Sequence, residues 1–159
     1  VFIFGCTTGM RYSDFSKITS ENIRNNHIYR NSQKQKNNLG IPLNKYSKSI
    51  LEKYDYSLPK ISSQKFREYI KDACQLAGFN KDTIKTTYRG SERIEEKLPM
   101  YKRISTHTAR RTFITVSLDK GMRPEIVMSI TGHKSYSSFK KYIKLTQSSR
   151  ERAMQNTWN

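Results

Sequence analysis

Thirty lysines and arginines stand against thirteen aspartates and glutamates, a formal charge of +17 on 159 residues. Like charges at that density repel one another in any compact state, so a chain that folds with this balance is built to work beside a polyanion. Nucleic acid is the leading candidate, and an acidic membrane surface a distant second. Hydrophobic residues make up only 35% of the chain, too few for a large self-sufficient core, yet ten Tyr and seven Phe supply bulk that a disordered basic tail lacks. One folded domain is therefore expected. No stretch approaches the 18 or so uncharged apolar residues of a membrane span, and the apolar run Val1 to Phe4 is too short for the core of a signal peptide. The expected location is the cytoplasm, on DNA. Cys6 and Cys74 are too few and too widely spaced for a metal knuckle or a disulfide framework, and their apolar contexts read as buried free thiols.

The charge is uneven, with the stretch from Leu98 to Asn159 the more electropositive part. Val1 opens in mid-pattern without a cap, which reads as a helix running to Thr7, with Thr8-Gly9 as its stop. Ser13 is a candidate cap for a short helix ending near Ile18. His27 to Ser32 and Leu39 to Leu43 form β-like runs around a polar tip, Gln33 to Asn38, and predict a hairpin. Asn44 or Ser47 caps a helix to Tyr54. Ser62 or Ser63 caps another, with Phe66, Tyr69, Ile70, Ala73 and Leu76 at helical spacing and a stop at Gly78. A second, shorter strand pair, Thr83 to Tyr88 and Arg93 to Leu98, is expected around Gly90. Ser105 or Thr106 opens a helix that ends at Gly121, and Pro124 opens one that ends near Gly132. Two more follow, Ser135 to about Leu145 and Gln147 to about Thr157. The fold class is α+β, mainly α-helical with a small antiparallel β-sheet.

Several residues stand out as chemistry-bearing. His107 and Arg110 are three apart on one helix and so share a face, with Arg111 one step round. A guanidinium fork beside an imidazole suits a phosphate, although a basic helix face that merely touches DNA backbone has the same pattern. Arg11 directly follows a helix stop, where the chain can present it into a cleft. Gly132-His133 places a His at a helix boundary, with Tyr142 nine residues beyond it on the next helix. Tyr136 is the rival nucleophile by proximity to His133. His27 reads as a strand residue, and no His/Cys/Asp spacing supports a zinc site.

Taken together, these boxes resemble the tyrosine recombinase, or phage integrase, family, and closely the integrases of mobile elements. The resemblance spans nearly the whole chain: Arg11 in Thr8-Gly9-Met10-Arg11-Tyr12-Ser13-Asp14; Lys34 before Ile41-Pro42-Leu43; His107-Thr108-Ala109-Arg110; Gly132-His133; and Tyr142. Met10 stands where the family usually has Leu, Asp14 where it has Glu, and Thr131 where it has Leu, the last a change expected to loosen packing. Lys34 is preferred for its offset of eight to Pro42, with Lys36 as the fallback.

The resemblance implies a domain that cuts and rejoins double-stranded DNA through a 3′-phosphotyrosyl intermediate, with no metal, ATP or other cofactor. Arg11 and Arg110 would clamp the non-bridging oxygens, Tyr142 would attack phosphorus, and His107 would assist proton handling. Lys34 would protonate the leaving 5′-oxygen, and His133 would hydrogen-bond the phosphate. Lys36, Arg111, Lys134, Lys140 and Lys141 are the expected backbone contacts. The family resemblance further implies a tetramer on two duplexes, with the tail after Tyr142 docking on a neighbour or folding back. The chain, 1–159, would be a catalytic domain without its N-terminal edge or core-binding domain, monomeric alone. Two rivals remain: a type IB topoisomerase, which relaxes DNA with the same chemistry, and a DNA-binding module without catalysis.

Overall fold

A computed structural model describes residues 1–29, 40–143 and 147–158. Helix α1, Phe2–Thr8, ends at Gly9, whose φ of 67° is left-handed. A Cβ at Gly9 would lie 2.5 Å from the Phe113 ring, so both the backbone and the space demand glycine there. Helix α2 is the single turn Tyr12–Phe15 with Arg11 at its N-cap, in place of the Ser13-capped helix expected from sequence. A turn of 3-10 helix, Ser20–Asn22, leads into β1, Ile23–Arg24, a strand that the sequence does not signal. β1 pairs antiparallel with β2, His27–Ile28, and β2 with β3, Ile41–Pro42, which bears out a paired arrangement across the predicted hairpin. Its tip, with Lys34 and Lys36, lies outside the described residues.

Asn44 caps α3, Lys45–Lys53, with its side chain accepting from the Tyr46 and Ser47 amides, and Ser62 caps α4, Ser63–Leu76. Only Phe66 and Ile70 of the α4 stripe are buried. Tyr69, Ala73 and Leu76 face solvent, so the stripe is narrower than its spacing implies. Strands β4, Asp82–Arg89, and β5, Glu92–Pro99, form an exposed antiparallel ladder of eight pairs, longer than the first sheet rather than shorter. A turn of helix, α5, Met100–Arg103, follows, and its Arg103 bonds back to Thr83 and Glu96 at the root of the hairpin.

Helix α6, Thr106–Asp119, is opened by a reciprocal cap between Ser105 and Thr108. It packs on α1 where Gly5 meets Ala109; a Cβ at Gly5 would sit 3.0 Å from that of Ala109. Helix α7, Pro124–Thr131, starts on proline and closes at Gly132, φ 70°. The Gly132 and His133 amides bond to Ser129 and Met128 carbonyls, the paired C-terminal closure that fixes the exit direction of the chain. Helix α8, Tyr136–Lys140, is shorter than expected: the Tyr142 amide bonds to Phe139 in a turn, so Tyr142 lies beyond the helix, not on it. Helix α9 is Gln147–Trp158, with Met154 and Trp158 exposed.

Phe4, Met10, Phe15, Ile28, Leu51, Phe66 and Ile70 belong to one buried cluster; Ile114, Val127, Phe139 and Tyr142 form another. Cys6 and Cys74 are free and half-buried rather than fully buried, and partial burial pushes the Cys6 thiol up to about 11. No described helix is long and apolar enough to cross a membrane.

Candidate active site

Between α2, α4 and the start of α6 lies an open cleft of about 480 Å³, lined by Arg11, Tyr12, Ser13, Ser16, Ile61, Ser63, Thr106, His107 and Arg110. Its geometry starts at Gly9. The left-handed residue turns the chain so that Met10, 2% exposed, drops into the core while Arg11 stays at the surface on the cleft wall. Tyr12 stacks on Phe66 with ring centres 4.4 Å apart and donates its hydroxyl to the Ile61 carbonyl, fixing the opposite wall.

Arg110 is of another kind. It is 2% exposed, among the most deeply buried side chains described. One Nη donates to the Gly9 carbonyl at 3.0 Å and the other to the Thr131 carbonyl, so a single guanidinium joins the end of α1 to the end of α7. A buried cation held by two carbonyls is fixed in direction before any ligand arrives. The expected clamp is therefore modified: two of its N–H groups already serve the fold.

His133 sits where α7 closes. Its Nδ1 is 2.7 Å from the hydroxyl of Thr131, and its ring stands 5.2 Å from Phe139 and 5.8 Å from Tyr142 between centres. Tyr142 is 9% exposed, with Lys141 Nζ 5.2 Å over its ring. Burial, then Arg110, Arg11, Lys141 and His107, hold the His133 imidazole down to about 4. His107 is lowered by burial first, then by Arg110, Arg11, Arg111 and Lys141. Among the described residues, every charged or titratable group named as acting on the two imidazoles is basic. Such a cluster, with both imidazoles held toward the neutral form, is an electropositive environment that favours an anion.

The expectation that Thr131 loosens packing is wrong. The residue is 1% exposed, its hydroxyl donates to the Val127 carbonyl at 2.6 Å, and it faces His133. Its small, polar side chain fits where a Leu would have no hydrogen bond to make. Sequence reasoning gave Tyr12, Ser16 and Thr106 no place on the cleft wall, since no motif marks them for one.

Comparison with known proteins follows the same lines. The model of the phage integrase family matches residues 2–149. The chain belongs to that family. No curated protein matches it in sequence. Among solved structures, XerA recombinase superposes with a TM-score of 0.67 at 17% identity, covering 97% of this chain and 55% of that one. The integrase of transposon Tn1549, in complex with circular intermediate DNA, gives 0.63 at 16%, covering 96% and 55%. A lambda integrase dimer bound to a core site gives 0.61 at 17%, covering 92% and 54%. The chain thus has the fold of the integrase-family domain and spans about half the length of these structures.

Within that fold Arg11, His107 and Arg110 share the cleft, His133 is tied electrostatically to the same cations, and the Tyr142 ring stands beside that of His133. Tyr136, by contrast, is 54% exposed at the start of α8. Arg111, Lys134, Lys140 and Lys141 are all exposed around this region, and Lys36 falls outside the described residues along with Lys34. Among the described residues no group of His, Cys, Asp or Glu is placed to hold a metal ion.

Proposed function

We propose that the chain is the catalytic domain of a site-specific DNA recombinase, cutting and rejoining DNA in the integration or excision of a mobile element. The observation that carries this reading is the convergence of Arg11, His107, Arg110 and His133, from three separate stretches of the fold, beside the buried phenol of Tyr142. In the proposed reaction a DNA phosphodiester enters the cleft and its non-bridging oxygens meet Arg11 from the surface and Arg110 from below. Charge that builds on those oxygens at the five-coordinate transition state is stabilised by donors already in place, each worth about 3 kcal/mol by analogy with oxyanion donors. The Tyr142 oxygen forms a bond to phosphorus as the bond to the 5′-oxygen breaks. The phenol proton leaves with the help of His107, and Lys34 supplies one to the 5′-oxygen. The phosphotyrosyl ester retains the bond energy, so a 5′-hydroxyl from another duplex reverses the step without ATP.

Strand exchange of this kind needs double-stranded DNA, four copies on two duplexes, and a place in the cytoplasm with the DNA. Exposed Lys134, Lys140, Lys141 and Arg111 would track the backbone and make binding salt-dependent. Supercoil relaxation would use the same chemistry, but the family match and the recombinase-like fold favour exchange.

The test is trapping. Incubated with a library of nicked duplexes of random sequence, the wild-type chain should retain DNA through denaturation, and Tyr142→Phe should retain none. Equal retention by both, or none by a wild type that demonstrably binds the library, would overturn the catalytic reading.

A further inference from the structure

Thr131 touches Arg110 in the cleft and His133 outside its lining by two different atoms. Its carbonyl accepts from Arg110, and its hydroxyl faces His133 Nδ1 at 2.7 Å. That hydroxyl has one proton to give. It stands 2.6 Å from the Val127 carbonyl, which can only accept, so the proton points at Val127. Nδ1 must then be the donor in the contact with Thr131. A neutral imidazole carries one N–H, so the second nitrogen, Nε2, is left bare. We infer that Thr131 is a positioning residue for His133, its hydroxyl fixing the imidazole in the Nδ1–H form and leaving Nε2 as an unprotonated acceptor.

This choice of tautomer matters for an anion site. A bare Nε2 repels a phosphate oxygen and binds it only after taking up a proton, which comes from solution. The groups acting on the ring, Arg110 and His107 from α6, Arg11 at the start of α2 and Lys141 after α8, all oppose that proton until an anion offsets them. Anion binding and protonation of Nε2 are then one event. This second step rests on the proposed reading of the cleft as a phosphate site, and the tautomer itself does not.

The experiment is a long-range 15N NMR spectrum of the histidines in the free chain at pH 7. Wild type should show His133 with its proton on Nδ1. Thr131→Ser, which keeps the hydroxyl, should show the same form. Thr131→Val keeps shape and the backbone carbonyl that holds Arg110 but has no hydroxyl, and should shift His133 to the Nε2–H form usual for a free imidazole. Wild type with the proton on Nε2, or Thr131→Val unchanged from wild type, would overturn the inference. Sulfate, which does not titrate between pH 5 and 8, then probes the second step at pH 6. Saturation should protonate His133 Nε2 in wild type, and a ring still bare beside bound sulfate contradicts it. Failure of sulfate to perturb Arg11 and Arg110 at all would count against the phosphate-site reading and leave the tautomer result standing.

Discussion

Among the described residues, ten buried hydrophobic side chains of the first cluster, from Phe4 through Phe15 to Ile70, tie α1, α2, the first sheet, α3 and α4 together, and Arg11 rises from its edge. The second cluster has, among the described residues, four buried members, Ile114, Val127, Phe139 and Tyr142, and the proposed nucleophile is itself one of them. Helix α6 connects the two, with Ala109 against α1 and Ile114 in the smaller group. The part of the cleft that would hold the phosphate thus stands on the larger core. Tyr142, which would attack, belongs to the smaller group and, 9% exposed, must leave it to reach a phosphorus. Low local stability is where moving catalytic segments are found.

The largest expected effects break this comparison outright. Phe15→Ala, in the first cluster, should cost about 3–5 kcal/mol of global stability, measured by urea unfolding. Phe139→Ala removes a ring of the same size, yet should act locally, raising amide exchange from α8 through Tyr142 while α1, α3 and α4 keep wild-type protection. Equal loss of protection everywhere would mean that the two clusters are one cooperative unit.

The two arginines sharpen it next. Arg110→Ala strands the Gly9 and Thr131 carbonyls in a buried site, at about 1–3 kcal/mol for each group left without a partner, and should lower stability as well as abolish covalent trapping. Arg110→Lys should not restore it, because an ammonium cannot span both carbonyls as the fork does. Arg11→Ala should leave stability within about 0.5 kcal/mol of wild type and still remove trapping. A stability loss at Arg11 to match that at Arg110 would show that the division between surface and buried arginine is wrong.

Acid gives the smallest effect. The folded His133, at about 4, lies below the ordinary histidine value, so between that value and about 4 the unfolded chain binds more protons than the native one. His133 therefore costs the fold nothing near neutrality and weakens it as pH falls through that window. The urea midpoint of wild type should drop further between pH 7 and pH 5 than that of His133→Gln, and parallel curves would refute the assignment.

How much of this could be read from the sequence depended on whether a residue's role was local. Gly9, Asn44, Ser62, Ser105, Pro124 and Gly132 act within a turn of where they stand, and the helix ends they mark were legible. The β4–β5 ladder was underestimated because both of its faces are exposed, so no alternation of apolar and polar residues records its length. The order of the boxes pointed to Arg11, His107, Arg110, His133 and Tyr142. The burial of Arg110 was hidden, since its acceptors lie 101 and 21 residues away in the chain. Thr131 was visible only as a departure from a pattern, with its hydrogen bonds invisible until α7 closed beside α6.

The most direct measurement maps the residue that carries the DNA. Material trapped from the nicked library is digested with protease and nuclease, and the peptide bearing a residual nucleotide is sequenced by mass spectrometry. The account predicts a single phosphodiester-linked tyrosine, Tyr142; attachment at Tyr136, or at any other residue, would contradict it.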